Sequence, residues 1–371
     1  MMTKILSFQY NSVYQHGGAG RVLRRLFEGR EHQVTSMFLK THPGTDRTGL
    51  IKEVAVPVFP LQRPWMRWRL RNLAIWLREV FFLERIVRDV RKAASSLDFE
   101  VIHTVNHGPY CTIFCDEAFS ATPLWVSFHD HFSTCSTFED TSKLWNRSVR
   151  RLMISREMGI EYQRLFGDKP FELITDGVAT DEISAPKTTA GSPLTVYFAG
   201  LLHLEYIPLF ATLADALESL SADGTAVKLV LRGTQKLDFL NNRSFEVDYR
   251  QDFVTDAQVK AELDAADILY LPIKFNVPDF YLYSLSTKLI SYLGGAGTIL
   301  YHGPGDAAAC NLIREYNAGA TATSLDKTEL KEKILEIIKG ENTFSANAKK
   351  LASGQFDLKT IKDRFWSEEK V

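Results

Sequence analysis

One cation among several hydroxyls occupies the stretch of residues 279–306. Lys288 follows Ser284, Ser286 and Thr287 in quick succession. Ser284 and Ser286 are candidate caps, because a hydroxyl can accept hydrogen bonds from the free N–H groups of a first helical turn. The helix dipole favours an anion at the same place. Outward-pointing amides together with an ammonium suit a phosphate group. The pattern therefore predicts a phosphate-binding helix tip, although an ordinary strand–helix unit with a glycine turn explains the same residues.

The apolar residues around Lys288 predict the elements that would hold it. They recur at helical spacing over residues 286–293, and Ser291 lies within that helix. Three glycines then end the helix, and residues 298–301 have the composition of a short buried strand. Lys288 would therefore stand in the first turn of a helix that leads into a strand.

A glycine-rich loop follows the first predicted strand, at residues 4–8. Gly17 and Gly18 lie in this loop, and residues 21–27 behind it have helical periodicity. Strand, glycine loop and helix open many nucleotide-handling α/β domains, because glycine lets backbone amides approach a phosphate. The spacing is not G-x-G-x-x-G, so a dinucleotide fingerprint is poorly supported. A tight turn without a ligand is the alternative interpretation.

Histidines mark the ends of two further predicted strands. His129 and Asp130 follow the strand at residues 124–128, while His103 and His107 lie at the end of an earlier one. Parallel sheets bind ligands at the carboxyl ends of their strands, so a functional role is favoured for His129. A metal site is disfavoured because His103 would lie inside its strand and no motif supplies carboxylate ligands. Asp130 is expected either to orient His129 or to lie at the surface as a cap.

Strand–helix alternation runs through both halves of the chain, which are separated by the linker-like stretch SAPKTTAGSP at residues 184–193. Such alternation predicts an α/β protein with two doubly wound parallel sheets. In the second half, Arg232 ends a predicted strand at residues 227–231 and is a second candidate cation.

Residues 62–92 form the longest helical pattern and contain three Trp and nine Arg or Lys against three acids. Aromatic and basic residues cluster at its front; they are Trp65, Trp68, Arg67, Arg69 and Arg71. A surface of this kind can lie on an anionic bilayer. The alternative is one or two core helices with a solvated arginine face. Four residues fit the buried stripe that such helices would need; they are Leu73, Leu77, Val80 and Leu83.

Composition narrows the classes of function. A chain of 371 residues is long for one compact core, so two domains are expected. The formal net charge of −1 provides no basic field, which argues against nucleic acid as a partner. The four cysteines form neither a disulfide framework nor a zinc knuckle, which is typical of a cytoplasmic protein with reduced thiols. No stretch approaches the roughly 18 apolar residues of a membrane span.

Several of these pieces occur in the order of a known family. The glycine loop comes first, followed by His129-Asp130 and by YFAG at residues 197–200. AADILYLP at residues 265–272 and KLISYL at residues 288–293 come next, the second with a glycine behind it. In this order, over nearly the whole chain, the sequence resembles the GT-B fold glycosyltransferases, specifically the retaining group often called family 4.

The resemblance implies two Rossmann-like domains with a cleft between them and a C-terminal helix that crosses back. Residues 1–185 would form the acceptor-side domain, residues 186–352 the donor-nucleotide domain, and residues 353–371 the helix packed on the first domain. The donor would be a nucleotide diphosphate sugar, and the acceptor a glycan or polyprenyl-linked molecule. Neither a metal nor a cofactor is expected, because cationic side chains and helix amides would neutralise the departing diphosphate.

Carried over residue by residue, the family's pattern matches a small set of positions. His129 would contact the transferring sugar and Lys288 the diphosphate, both as catalytic residues, while Gly17 and Gly18 would approach the donor. Further donor contacts are expected from a guanidinium and several hydroxyls; they belong to Arg232, Ser284, Ser286, Thr287 and Ser291. The implied function is retaining hexosyl transfer in cell-surface polysaccharide synthesis, in the cytoplasm or peripherally on the inner face of the membrane.

Three departures separate this sequence from the family. Ser291 stands where an acid usually accepts from the ribose hydroxyls, and Tyr283 stands where a second acid is usual. Leu201 follows Gly200 where cations are common, with Glu205 nearby. Serine and tyrosine keep hydrogen-bonding capacity, so a sugar nucleotide still fits the pattern. A non-catalytic binding module and a sugar-nucleotide epimerase are the alternatives to a transferase.

Overall fold

The computed structural model describes most of the chain, in the ranges 3–15, 17–41, 49–61, 68–187, 190–202, 204–252, 254–340 and 343–367. The side chains of residues 68, 69, 71 and 72 lie outside that description. The chain divides into two compact units. The first contains Met1–Thr175 and Ile361–Val371, and the second contains Asp176–Thr360.

The first unit is built on a parallel sheet. Its described strands are β1 (Ile5–Gln9), β2 (Val34–Lys40), β3 (Lys52–Pro57), β4 (Val101–Val105), β5 (Leu124–Phe128), β6 (Arg150–Met153) and β7 (Glu172–Leu173). They lie in the order β3-β2-β1-β4-β5-β6-β7, with Ile5 paired to Val34 on one side and to Val101 on the other. The strand order reverses between β1 and β4, and α/β sheets bind ligands at the carboxyl ends of strands beside such a switch point.

The second unit repeats this plan. Its described strands are β8 (Leu194–Ala199), β9 (Val227–Arg232), β10 (Glu246–Arg250), β11 (Ile268–Pro272), β12 (Thr298–His302) and β13 (Gly319–Ala322). They lie in the order β10-β9-β8-β11-β12-β13, all parallel, with Ile268 of β11 paired to Val196 and Thr298. The switch point of this sheet therefore falls between β8 and β11.

The α-helices alternate with the strands, as the periodicity predicted. They are α1 (Gly18–Phe27), α2 (Trp68–Phe81), α3 (Leu83–Ser95), α4 (Phe132–Cys135), α5 (Phe138–Arg147), α6 (Arg156–Phe166), α7 (Ile207–Ala222), α8 (Asp256–Ala265), α9 (Pro278–Tyr281), α10 (Thr287–Gly294), α11 (Ala308–Glu315), α12 (Lys327–Ile338), α13 (Phe344–Ser353) and α14 (Leu358–Trp366). The pattern over residues 62–92 thus contains two helices, α2 and α3, separated at Phe82.

Both faces of the second sheet are covered by apolar side chains. Leu213 and Leu217 of α7 belong to the same core cluster as Phe198 of β8. Leu289 and Leu293 of α10 belong to the cluster that contains Tyr197. Because neighbouring strand residues point to opposite faces, β8 is buried on both sides and α10 is anchored against one of them.

The last helix contributes to the core of the first unit. The Phe365 ring packs against Phe27, His103 and Trp125, with ring centroids 5.9, 5.4 and 5.6 Å away. The indole N–H of Trp366 donates to the Leu26 carbonyl at 2.8 Å. Residues 361–367 are therefore structural members of the first unit.

Helix α2 does not bury the stripe expected of it. Leu73 and Val80 are 47% and 53% exposed, whereas Arg78 is fully buried. The Arg78 guanidinium donates to the Tyr10 hydroxyl at 2.7 Å and to the Pro60 carbonyl at 2.8 Å. The predicted core stripe is therefore wrong at these two apolar positions, because hydrogen bonds from an arginine draw another side of the helix inward.

The predicted membrane surface falls on residues that the structure does not fully describe. Trp65 and Arg67 lie outside the described residues, and so do the side chains of Trp68, Arg69 and Arg71. Among the described residues, no helix has both the length and the apolar composition required to cross a bilayer.

Candidate functional site

Lys288 lies at the tip of α10, beside the carboxyl end of β8. Ser286 caps this helix, and its hydroxyl accepts from the Lys288 backbone N–H at 3.2 Å. The side chain of Lys288 is half-buried, and its Nζ lies 3.8 Å from the centroid of the Phe198 ring. Within the part of the chain that the structure describes, Nζ has neither a hydrogen-bond acceptor nor an acidic partner. The ammonium is thus available to an anionic ligand.

Gly200 provides the space that this ammonium occupies. Its φ of +136° lies in the region that favours glycine, and a Cβ built there would stand 3.0 Å from Lys288 Nζ. The Gly200 N–H donates to the Arg232 carbonyl at 2.9 Å, which ties it to the end of β9. The Tyr292 hydroxyl accepts from the N–H of Ala199 at 3.3 Å and links α10 to the same strand end.

Burial controls the charge of Lys288. Removal from water disfavours an ammonium, and this desolvation lowers the pKa of Lys288 to about 7. A phosphate next to Nζ would favour the charged form and oppose that shift. The site therefore offers a cation whose charge is stabilised by the ligand that it binds.

Arg232 lies at the neighbouring strand end, but its guanidinium is engaged. It donates through Nε to Glu262 at 3.0 Å and through Nη1 to the Asp252 carbonyl at 3.0 Å, and Nη2 also contacts the Glu262 carboxylate. Partial burial alone would raise the pKa of Glu262, but hydrogen bonds from Arg232, Tyr197 and Arg250 lower it to about 2. The structure thus brings the backbone of Arg232 close to Gly200, and its predicted contact with a donor stays a prediction.

The predicted hydroxyls have different environments. Ser286 is the N-cap of α10, and Thr287 is its first residue. Ser291 Oγ donates to the Thr287 carbonyl at 3.1 Å, so this hydroxyl is hydrogen-bonded to the backbone of its own helix. The buried Ser284 hydroxyl has no hydrogen-bond partner among the described residues. Ser284, Ser286 and Thr287 accompany Lys288, whereas the hydroxyl of Ser291 is occupied one turn further along.

A second group of predicted residues lies together in the first unit. A cavity of about 250 Å³ opens at the carboxyl ends of β1 and β4, the switch point of that sheet. Gly17 and Gly18 line it, as do His129 and Asp130. Gly17 is the N-cap of α1 with a φ of +141°, a conformation that favours glycine. The N-terminal end of α1 therefore lines the cavity, and the free amides there favour anions and hydroxyl oxygens.

His129 is half-buried at this cavity, and both of its ring nitrogens are shielded from solvent. Neither nitrogen has a hydrogen-bond partner among the described residues, so Asp130 does not orient the ring. Asp130 is exposed, as its surface interpretation expected. Desolvation lowers the pKa of His129 to about 4, which leaves a neutral imidazole near pH 7. A neutral ring can exchange hydrogen bonds with a sugar hydroxyl.

His103 has a structural environment. It is fully buried in β4 and contacts the Ser7 hydroxyl at 3.0 Å and the Ser127 hydroxyl at 2.8 Å. Burial lowers the pKa of His103 to about 3. Within the described ranges, no group of three or more His, Cys, Asp or Glu side chains is arranged to hold a metal ion.

Sequence reasoning missed one neighbour of Lys288 and the acidic partner of Arg232. Phe198, whose ring lies against Nζ, is an apolar strand residue, and its type alone does not distinguish it from other core residues. Glu262, which engages Arg232, lies on α8 as one acid among several. The rule that polar residues follow strand ends locates Arg232 and Gly200 but not their partners.

Comparison with known proteins identifies the fold. No protein-family model matches the chain, and no curated protein sequence does.

Among solved structures, sucrose-phosphate synthase from Thermosynechococcus elongatus is similar at a TM-score of 0.73 and 13% identity, over 98% of this chain and 97% of that one. HepE from Anabaena, in complex with UDP and glucose, is similar at a TM-score of 0.66 and 16% identity, over 98% of both chains. WaaG, a glycosyltransferase involved in lipopolysaccharide biosynthesis, is similar at a TM-score of 0.61 and 14% identity, over 98% of both chains. The two parallel-sheet units and these full-length likenesses show that the chain has the GT-B fold.

Proposed function

We propose that this protein is a retaining hexosyltransferase. It moves a sugar from a nucleotide diphosphate sugar to a glycan or polyprenyl-linked acceptor in cell-surface polysaccharide synthesis. The observation that carries the proposal is the Lys288 ammonium, which stands at a helix tip without an acidic partner among the described residues. The HepE complex with UDP and glucose and the lipopolysaccharide role of WaaG support it.

Lys288 acts on the leaving group in this proposal. When the bond between the sugar and the diphosphate breaks, negative charge grows on the departing phosphate. An ammonium and the first-turn amides of α10, already in place, lower the energy of that charge. These groups supply the charge that a metal would otherwise supply, so the proposed reaction needs no bound metal.

The remaining predicted residues serve the donor and the sugar. Gly17 and Gly18 allow the start of α1 to approach the donor, and the neutral His129 exchanges a hydrogen bond with a sugar hydroxyl. The side chains proposed to contact the donor at the second unit are Arg232, Ser284, Ser286, Thr287 and Ser291. The first unit would form the acceptor side within residues 1–185, the donor nucleotide would bind within residues 186–352, and residues 353–371 would pack on the first domain.

The proposed location is the inner face of the membrane, reached from the cytoplasm. Large apolar side chains on or beside α2 are exposed; they are Phe59, Leu70, Leu73, Trp76, Val80 and Phe81. Residues 62–92 carry nine Arg or Lys against three acids, so basic residues are close in sequence to these apolar side chains. An amphipathic helix of that composition suits an anionic lipid surface, and it would add to the predicted contacts of Trp65, Trp68, Arg67, Arg69 and Arg71.

A panel of nucleotide sugars tests the function. The wild-type protein should release nucleoside diphosphate from one donor and transfer its sugar with retained configuration. Lys288→Met should lower that rate by about a hundredfold, the usual cost of losing one preorganised charge donor. Lys331→Met is the matched control, because the Lys331 ammonium on α12 is paired with Asp223 at 2.6 Å. Equal rates for wild type and Lys288→Met would contradict the proposal.

Two other outcomes would point to the alternative functions. Nucleoside diphosphate binding without turnover of any donor would favour a non-catalytic binding module. Release of nucleoside diphosphate with an epimerised sugar, independent of acceptor, would favour an epimerase.

A further inference from the structure

The ring of Phe198 has little freedom to move away from Lys288. It is fully buried in β8 and packs edge-on against Phe210, with ring centroids 5.0 Å apart and planes at 80°. Phe210 packs in turn against Tyr270 at 5.4 Å. The face presented to the ammonium is therefore held by a chain of buried aromatic contacts.

An aromatic ring is a particular kind of partner for a cation. Its negative face attracts the Lys288 ammonium, but it accepts none of the three N–H donors as a carboxylate would. A carboxylate in this place would also neutralise the charge and compete with an anionic ligand. With a ring as its neighbour, Lys288 keeps its charge, and its N–H donors stay available to a ligand.

Gly200 limits the ammonium from another side. A Cβ at this position would lie 3.0 Å from Nζ and 3.3 Å from Cε of Lys288, closer than side chains normally pack. The bare backbone therefore lets the lysine extend along the end of β8 to its position over the ring. A Cβ at this position would therefore require the ammonium to shift by a few tenths of an ångström.

We propose that Phe198 and Gly200 are positioning residues that hold the Lys288 ammonium, with its N–H donors free, where a nucleoside diphosphate binds. The inference rests on the proposed function and deepens it, because it names the residues that prepare the cation for the diphosphate. The ring stays beneath the ammonium in the complex, and the phosphate approaches from the open side.

A double-mutant cycle tests the role of Phe198. UDP, GDP and ADP are titrated into the wild-type protein by calorimetry, and the tightest binder is then used with Phe198→Leu, Lys288→Met and the double variant. Phe198→Leu should weaken binding about three- to tenfold, because the lysine side chain is then no longer held in place and must be ordered when the diphosphate binds. In the Lys288→Met background the same change should have no effect, since the cation is gone.

Two controls separate positioning from packing. Phe245→Leu removes the same volume from another buried ring of the same core cluster, outside the chain of aromatic contacts that holds Phe198, and should leave the affinity unchanged. The nucleoside without phosphates should bind wild type and Phe198→Leu equally. If Phe198→Leu weakens diphosphate binding by the same factor in the wild-type and Lys288→Met backgrounds, the ring acts only through packing, and the inference fails.

Gly200→Ala tests the second positioning residue. It should weaken diphosphate binding at least as much as Phe198→Leu, whereas Gly224→Ala should not. Gly224 also has a positive φ, +92°, but its Cβ position is open, so it reports the backbone strain alone. Unchanged affinity in a folded Gly200→Ala protein would overturn the role of Gly200. A wild-type protein that binds none of the three diphosphates would overturn the proposed function together with the inference, whereas binding with additive losses would overturn the inference alone.

Discussion

Arg232 donates to both carboxylate oxygens of Glu262, so the cation at the carboxyl end of β9 has an acidic partner within its own unit. Arg250 donates to the same carboxylate at 2.9 Å. Lys288, at the neighbouring strand end, has no such partner among the described residues. The second unit thus contains one cation that is paired with a carboxylate and, among the described residues, another that has no acidic partner.

Glu262→Gln should destabilise the second unit. The substitution removes the charge that three donors share, and hydrogen bonds to charged groups contribute on the order of 2 kcal/mol to the free energy of unfolding. Urea denaturation measures the loss. Glu246→Gln is the control, because its side chain is 60% exposed and an exposed pair with Lys228 contributes about 0.5 kcal/mol. Equal losses for the two variants would show that the Arg232–Glu262 contact stabilises the unit no more than an exposed ion pair does.

This contribution has a defined pH dependence. The pKa of Glu262 is lowered to about 2 in the folded protein, whereas an unfolded glutamate has a pKa of about 4.3. The stabilisation is therefore complete above the unfolded value and is lost as pH falls toward about 2. The difference in unfolding free energy between wild type and Glu262→Gln should shrink over that range.

Affinity for a nucleoside diphosphate should fall as pH rises through about 7. Desolvation lowers the pKa of Lys288 from 10.5 to about 7, so the neutral amine becomes the main form of the free protein above that pH. Binding must then take up a proton, which costs up to about tenfold in affinity per pH unit. Calorimetry between about pH 6 and pH 9 measures this. Lys288→Arg keeps its charge throughout and should lose the dependence; an identical slope in that variant would refute the assignment.

The exposed face of α2 should bind anionic vesicles. The full chain should float with liposomes that contain phosphatidylglycerol and stay behind with phosphatidylcholine alone. Replacing Leu73, Trp76 and Phe81 together by Ser should abolish flotation, because apolar insertion and charge attraction act jointly. Three residues elsewhere on the first unit are similarly exposed and serve as the matched Ser control; they are Phe138, Val149 and Ile160. Flotation that survives the α2 changes would exclude this helix as the membrane contact.

Phe365→Ala should destabilise the first unit, although the residue lies near the end of the chain. Its ring is fully buried among Phe27, His103 and Trp125, and removal of a buried phenylalanine side chain costs about 3 to 5 kcal/mol. Phe138→Ala, at a position 52% exposed, should cost much less. Chemical denaturation compares the two. Similar losses would mean that the C-terminal segment contributes little to this core.

Local patterns in the sequence were sufficient for the elements that carry Lys288. The helix predicted at residues 286–293 is α10, Thr287–Gly294, and Ser286, one of the two candidate caps, is its N-cap. Both follow from interactions within a few residues: a hydroxyl meets the free amides next to it, and apolar residues at helical spacing share one face. The alternation of strands and helices predicted two parallel sheets for the same reason.

Elements with weak local signals were missed. β13, Gly319–Ala322, consists of small residues without apolar alternation, and only its pairing with β12 identifies it as a strand. The buried stripe predicted for α2 was wrong for the opposite reason, since its local signal is strong. Its periodicity is strong, yet Leu73 and Val80 face outward because Arg78 reaches Tyr10 and Pro60 from another side of the helix.

The sequence by itself determined that the second α/β half would contain a helix with a serine cap and a lysine in its first turn. Only the tertiary structure decided that the cation lies over Phe198 and against Gly200, while Glu262 engages Arg232. Helix periods and caps depend on neighbours in the chain. The contacts of a side chain depend on how segments far apart in sequence pack, and a local sequence pattern does not specify that packing.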